Sequence, residues 1–402
     1  MIDLAGTWSL SDESGEYRAD MAVPGDGISA LHAAGLIAAP YWGQNEYGLR
    51  WISKRDWTIR REVALDRTDL ELVIDMLDTV AEVQVNGVTV LRADSMFRQQ
   101  RADVSRAAKV GANEIEITFR SPVLEAAGRQ AAQPFYIPYS KNNCPIPNGN
   151  MLRKPQCDFG WDWNIALAPF GVYEGIRLEP KRAVRIAGII VSQRHEGGRV
   201  SVSVMAQIEG AAEGATVRFA LAGVTGEAPV TGGEATATLS LDAPDLWWPN
   251  GLGAQALHEL IVTLGTETAT RRIGLRDLRL LTTPDATGAR FALSVNGREV
   301  FCKGANWIPA DALAGRISRE GVRDLLQSAR DANMNMIRIW GGGRYEPDWF
   351  YDLCDEMGLM VWQDFMFACH LYPATDDFLA EIDREVREQG ARLNHHAYMA
   401  IW

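Results

Sequence analysis

From Gly6 to about Pro180, apolar and polar residues alternate in short runs: GTWSL, WTIRREVAL, LELVIDML, AEVQVNGVTVL, NEIEITFR and GVYEGIRLEP. A period of two, punctuated by turn pairs such as Asn86-Gly87, predicts antiparallel strands in a β-sandwich. One helix is predicted from Gly27 to Ile37, after the Pro24-Gly25-Asp26 turn. From Glu125 to Ala168 periodicity fades into a stretch dense in Pro, Asn, Trp, Phe and Tyr. Long ordered loops of this kind are uncommon and often functional. A second set of alternating runs, from about Arg182 to Leu281, has the spacing of an immunoglobulin-like sandwich. Its plain role is that of a spacer.

After FALSVNGREVFCKGANW the period changes. A strand reaching Ala305 precedes a helix from Ser318 to Ala332. The strand MIRIWG, a helix from Pro347 to Met357, the strand LMVWQDF and the helix DDFLAEIDREVREQGARLNHH then lead to AYMAIW. Largely apolar strands alternating with helices indicate a parallel sheet covered on both faces. Four such units are half of an eight-stranded (β/α)8 barrel. The last strand would be a hydrophobic edge prone to aggregation if the sheet stopped there. The expectation is therefore an enzyme fragment whose loop after Trp402 carries further chemistry. The division that follows is 1–180, 181–283 and 284–402.

Composition narrows the partners. With 40 basic against 52 acidic residues the net charge is -12, which disfavours a nucleic-acid backbone and is compatible with a neutral ligand such as a sugar. Thirteen Trp exceed what the core needs, and exposed indole faces suit the apolar faces of sugar rings. Packing between sheets accounts for about half of them. Five cysteines without CxxC spacing indicate neither a disulfide framework nor a zinc site. MIDLAGTWSL lacks the pattern of a secretory signal and no stretch approaches transmembrane length, so a cytoplasmic protein without membrane partners is expected.

Candidate chemistry gathers at the carboxyl ends of the parallel strands, where barrel active sites form. Asn306, Trp307 and Asp311 follow the first strand, Arg338 and Trp340 mark the second, and Gln363 and Asp364 the third. Gly341 to Gly343 match neither nucleotide-binding spacing and read as a close-packed turn that lets Trp340 face the cavity. Glu381, Asp383, Glu385 and Glu388 read as the solvated face of a helix, with His395 and His396 as its end cap. No metal site or cofactor is indicated. Retaining glycoside hydrolysis needs two carboxylates roughly 5 Å apart, and nothing before Trp402 presents that pair.

Six segments, WISKRDW at Trp51, FGWDWNIALAPFG at Phe159, LWWPNGLG at Leu246, GANWIPAD at Gly304, IRIWGGGRYE at Ile337 and VWQDFMFACHLYP at Val361, together resemble the β-mannosidases of glycoside hydrolase family 2. The resemblance runs in order over essentially the whole chain. It implies a jelly-roll sandwich, an immunoglobulin-like sandwich and the first half of a TIM barrel. It also implies exo-acting, retaining hydrolysis of terminal β-D-mannose from β-mannosides or manno-oligosaccharides, with room for a homodimer. Carried across by motif, the substrate-binding residues are Trp161 and Asp162 on the long loop with Arg338, Trp340 and Asp364 on the barrel. Asp162 is expected to sit in a hydrogen-bond network, because a buried carboxylate without partners would be penalised; a loop-bracing salt bridge is its structural alternative. Both catalytic glutamates fall after Trp402 in the family pattern, so 402 residues alone are expected to be inactive. Alternatives are another family 2 specificity, exo-β-glucosaminidase or β-galactosidase, and a noncatalytic carbohydrate-binding fragment.

Overall fold

The computed structural model describes residues 1–402. In the first sandwich a six-stranded antiparallel sheet has the order Arg18–Val23, Gly6–Asp12, Trp57–Leu65, Gly111–Phe119, Ala81–Val85, Val88–Ala93. A four-stranded sheet (Ile2–Asp3, Ile176–Pro180, Leu70–Ile74, Gln100–Asp103) packs against it. Alternation selects the inner face: Trp57 and Ile59 lie opposite Phe119 and Ile117, and all four are buried. Asn86 and Gly87, with φ of 51° and 76°, make the tight turn of the Ala81–Val85/Val88–Ala93 hairpin.

The second sandwich pairs Val184–Glu196, Arg199–Gly210 and Glu234–Asp242 against Val224–Pro229, Thr216–Leu221, His258–Leu264 and Glu267–Ile273. It does more than space its neighbours. The wholly buried Trp247 donates from Nε1 to the Asp355 carbonyl at 2.9 Å, and Asn250 donates to the carbonyls of Arg330 and Met334 at 3.0 and 2.9 Å. Arg276 holds the Ala397 and Met399 carbonyls at 2.8 and 2.9 Å. These donors reach carbonyls near the ends of α-helices and around the last barrel strand, and so tie the second sandwich to the barrel.

Leu278–Leu281 turns forward to pair with Ala292–Val295, which pairs with Arg298–Val300. Leu293, Val295 and Val300 from this small sheet pack with Met336, Met360 and Ala397 and close the amino-terminal end of the barrel strands. Those strands are β1 (Gly304–Trp307), β2 (Met336–Ile339), β3 (Met360–Gln363) and β4 (Met399–Ile401), parallel and in sequential order. The helices between them are α1 (Arg319–Asp331), α2 (Asp348–Met357) and α3 (Asp376–Leu393). Ser318 caps α1 by accepting from Gly321 N at 3.1 Å.

Three local expectations are corrected. The expected loop begins with a helix, Pro122–Ala131, whose cap Ser121 accepts from Leu124 N at 3.1 Å. On α3, only Asp383 of the four acidic residues faces solvent; Glu385 is fully buried, while Glu381 and Glu388 pair with Arg98. The reason is that this helix lies against the first sandwich, which supplies arginines to meet it. His395 and His396 close the end of α3, His396 N donating to Leu393 O at 3.3 Å, but as buried residues rather than a surface cap, and His396 Nδ1 contacts Asp355 Oδ2 at 2.7 Å.

Candidate active site

The pleat decides which strand residues reach the barrel interior. Asn306, Arg338 and Trp362 occupy one register row across β1, β2 and β3, and Trp307, Ile339 and Gln363 the next. The first row meets inside: Arg338 donates to Asn306 Oδ1 at 3.3 Å and lies 5.6 Å from the Trp362 ring centroid. The second row turns to the helices. Trp307 donates from Nε1 to Glu346 at 3.0 Å and packs on Phe350, while Gln363 accepts from the Tyr351 hydroxyl at 2.6 Å. Trp307 and Gln363 are thus committed to the helical layer. Asp311 is engaged by Arg316 at 3.0 Å and by the Tyr41 hydroxyl of the first sandwich.

Arg338 and Asp364 form a two-pronged pair, Nε to Oδ1 at 3.1 Å and Nη2 to Oδ2 at 2.6 Å. Gly341 N adds a third donor to the carboxylate at 3.0 Å. A parallel fork orients both planes, so the part-exposed pair holds its charges in fixed positions at the strand ends. Beyond it stands Trp340. A Cβ on Gly342 would collide with the Trp340 ring, which explains the glycine run as the close-packed turn expected from sequence.

Trp161 on the long loop meets Trp340 edge to face, with centroids 4.8 Å apart, and Trp163 approaches Trp340 at 5.8 Å. Such geometry suits the opposed quadrupoles of ring face and ring edge. Asp162 lies between the two indoles at the tip of a tight turn closed by Trp161 and Asn164. It is exposed and carries no protein partner, so neither the expected network nor a salt bridge surrounds it. Solvent at the turn tip removes the desolvation penalty that the expectation relied on.

What holds this loop against the barrel was not legible beforehand. Arg153 lies between the rings of Phe97 and Phe367 and forks onto Glu385 of α3 at 2.8 and 2.6 Å. It also donates to the Met366 carbonyl at 2.8 Å, two residues past Asp364. Burial pushes the Glu385 carboxyl up, and Arg153 opposes that shift. Lys154 meets Asp78 and, at 2.7 Å, Asp158. Backbone ties add Leu371 N to Pro138 O at 3.2 Å and Cys157 N to Gly342 O at 3.0 Å. His370 was also missed. Its Nδ1 accepts from Ser140 N at 2.9 Å, its ring lies 6.1 Å from Trp161, and burial lowers its pKa to about 4. The imidazole is therefore neutral near pH 7, a packing partner of the indole rather than a charge.

Two sandwiches and a partial (β/α)8 barrel, with an aromatic corner assembled from sandwich and barrel at the strand ends, define a multidomain protein whose candidate site lies where the domains meet. The family model for the glycosyl hydrolase 2 galactose-binding domain-like region matches residues 8–174, and that for glycosyl hydrolases family 2 matches 177–276. The chain is 34% identical to a β-mannosidase of Capra hircus over 100% of its own length and 49% of the relative's. It is 37% identical to a β-mannosidase B of Thermothelomyces thermophilus, over 92% and 45%. A crystal structure of a β-D-mannosidase from Dictyoglomus thermophilum superposes with a TM-score of 0.92 at 32% identity, covering 99% of this chain and 51% of that one. The chain belongs to glycosyl hydrolase family 2, and it spans about half the length of the curated relatives it matches.

Proposed function

We propose that this protein is an exo-acting β-mannosidase that releases terminal non-reducing β-D-mannose with retention of configuration. The observation that carries the reading is the Trp161–Trp340 contact at 4.8 Å beside the Arg338–Asp364 fork. It supplies an apolar wall and a charged floor of the kind a hydroxyl-rich ring needs. The 34% identity to a protein called β-mannosidase supports the choice of sugar.

In this reading Trp161 and Trp340 take the C–H face of the terminal mannose, and the unpartnered Asp162 accepts from its hydroxyls. Arg338, oriented by Asp364, donates to a ring oxygen or hydroxyl. Retaining chemistry requires a carboxylic acid to protonate the leaving oxygen and a carboxylate to attack the anomeric carbon. The family pattern puts both glutamates after Trp402, so the residues described here bind and orient. Five unpaired cysteines fit a reducing, cytoplasmic setting, which cell fractionation would test.

The test is hydrolysis of aryl β-mannoside by the full-length protein, with proton NMR of the first-formed anomer. β-Mannose as first product is expected. α-Mannose would refute retention, and faster turnover of aryl β-glucosaminide or β-galactoside would replace the sugar assignment.

A further inference from the structure

The segment from 38 to 50 exposes Tyr41, Trp42 and Tyr47 at 45%, 77% and 61% of their surfaces. An indole three-quarters in water contributes little to a core, yet the segment is not slack. Trp42 N donates to Ala39 O and Asn45 N to Trp42 O, both at 3.1 Å, and Asn45 Nδ2 reaches Ala39 O at 2.9 Å. The buried Leu49 anchors the short helix Asn45–Leu49 that follows. Aromatic surface held out by a fixed backbone is pre-organised for a ligand.

Two ties connect this segment to chain on either side of the site. The Tyr41 hydroxyl donates to Asp311, on the loop leaving the carboxyl end of β1. At the other end, Arg50 lies 4.8 Å from the Tyr47 ring centroid and donates to Ala166 O at 3.3 Å, three residues beyond Trp163. The aromatic segment is therefore tied at one end to the β1 loop and at the other to the chain just past the Trp161–Asn164 turn, so it runs alongside the two segments that carry the outer residues of the site. An exo-acting site encloses the terminal sugar, so only the units on the reducing side of the scissile bond extend outward from it.

We propose that Trp42, flanked by Tyr41 and Tyr47, is a second sugar platform that holds the reducing-side units of manno-oligosaccharides and favours them over small aglycones. This rests on the β-mannosidase reading above. The orientation is that of indole stacking on the apolar face of a pyranose, with the neighbouring hydroxyls left in water.

The experiment compares kcat/KM for β-1,4-mannotriose and for an aryl β-mannoside in the full-length protein and its Trp42→Ala and Trp42→Phe variants. The mannotriose-to-aryl ratio is expected to fall about tenfold in Trp42→Ala and to return within about twofold of wild type in Trp42→Phe. An unchanged ratio in Trp42→Ala overturns the platform. If the wild type hydrolyses neither substrate, the parent reading fails, and calorimetric titration with mannotriose decides the platform separately. Wild type binding about tenfold tighter than Trp42→Ala would retain it, and equal binding would remove it.

Discussion

Replacing Arg153 by methionine isolates the charge that docks the aromatic loop onto the barrel. Methionine keeps an apolar stem between Phe97 and Phe367 and removes the fork to Glu385 and the donor to Met366 O. Glu385, with a side chain 0% exposed, is left with the Tyr345 hydroxyl at 3.1 Å as its remaining side-chain donor. Removing one partner of a buried pair costs about 3–5 kcal/mol, because the other charge stays desolvated. Glu385 can escape part of that cost by taking a proton. Its pKa is already raised by burial, with Arg153 opposing, and loss of Arg153 raises it further. A carboxyl whose folded pKa lies above its unfolded value contributes stability that is complete below the unfolded value, near 4.3. That contribution is lost as pH rises through the folded value. The deficit of Arg153→Met should therefore be smallest near pH 4 and grow toward neutrality. Urea unfolding of full-length protein, followed by tryptophan fluorescence from pH 4 to 8, reads the deficit. The double variant Arg153→Met/Glu385→Leu should recover most of it, because replacing both charges by apolar groups is often neutral. A pH-independent deficit, or a double variant no better than the single, would refute the pair as the brace.

Asp158 is pushed up to about 6, mainly by burial, with Asp78 adding and Lys154 opposing. Its contribution to stability is complete below about 4 and lost between about pH 4 and 6. Asp158→Asn should flatten the unfolding midpoint across that window, and an unchanged slope would remove Asp158 as the source. Arg338→Lys keeps the charge and loses the fork to Asp364. It should lower kcat/KM for aryl β-mannoside by about 10–100-fold while moving stability by less than about 1 kcal/mol, since the pair is part-exposed. Equal kcat/KM would show that the fork does not position substrate.

Local rules carried much of the architecture. Asn86-Gly87 turned where a type I′ hairpin requires left-handed residues, and Ser318 capped α1 through a single short-range bond. The helix from Pro122 was equally legible, since Ser121-Pro122 followed by Glu125 is a helix-start signal that the aromatic density downstream obscured. Period two within β1 to β3 also decides that Arg338 shares an interior row with Asn306 and Trp362, which sends Gln363 to the helices. That sorting requires the register between strands, a property of their pairing.

The sequence by itself determined the sandwich strands, the strand–helix alternation and the motif residues from Trp161 to Asp364. Alternation, caps and turn residues act between neighbours in the chain, so they can be read from it. Only the tertiary structure decided that α3 turns its acidic stripe toward Arg98 and Arg153, and that Trp161 meets Trp340 across 179 positions of chain. Whether a carboxylate is solvated or buried depends on what packs over it. That partner was supplied here by the first sandwich and its long loop, at a sequence separation where local spacing carries no information.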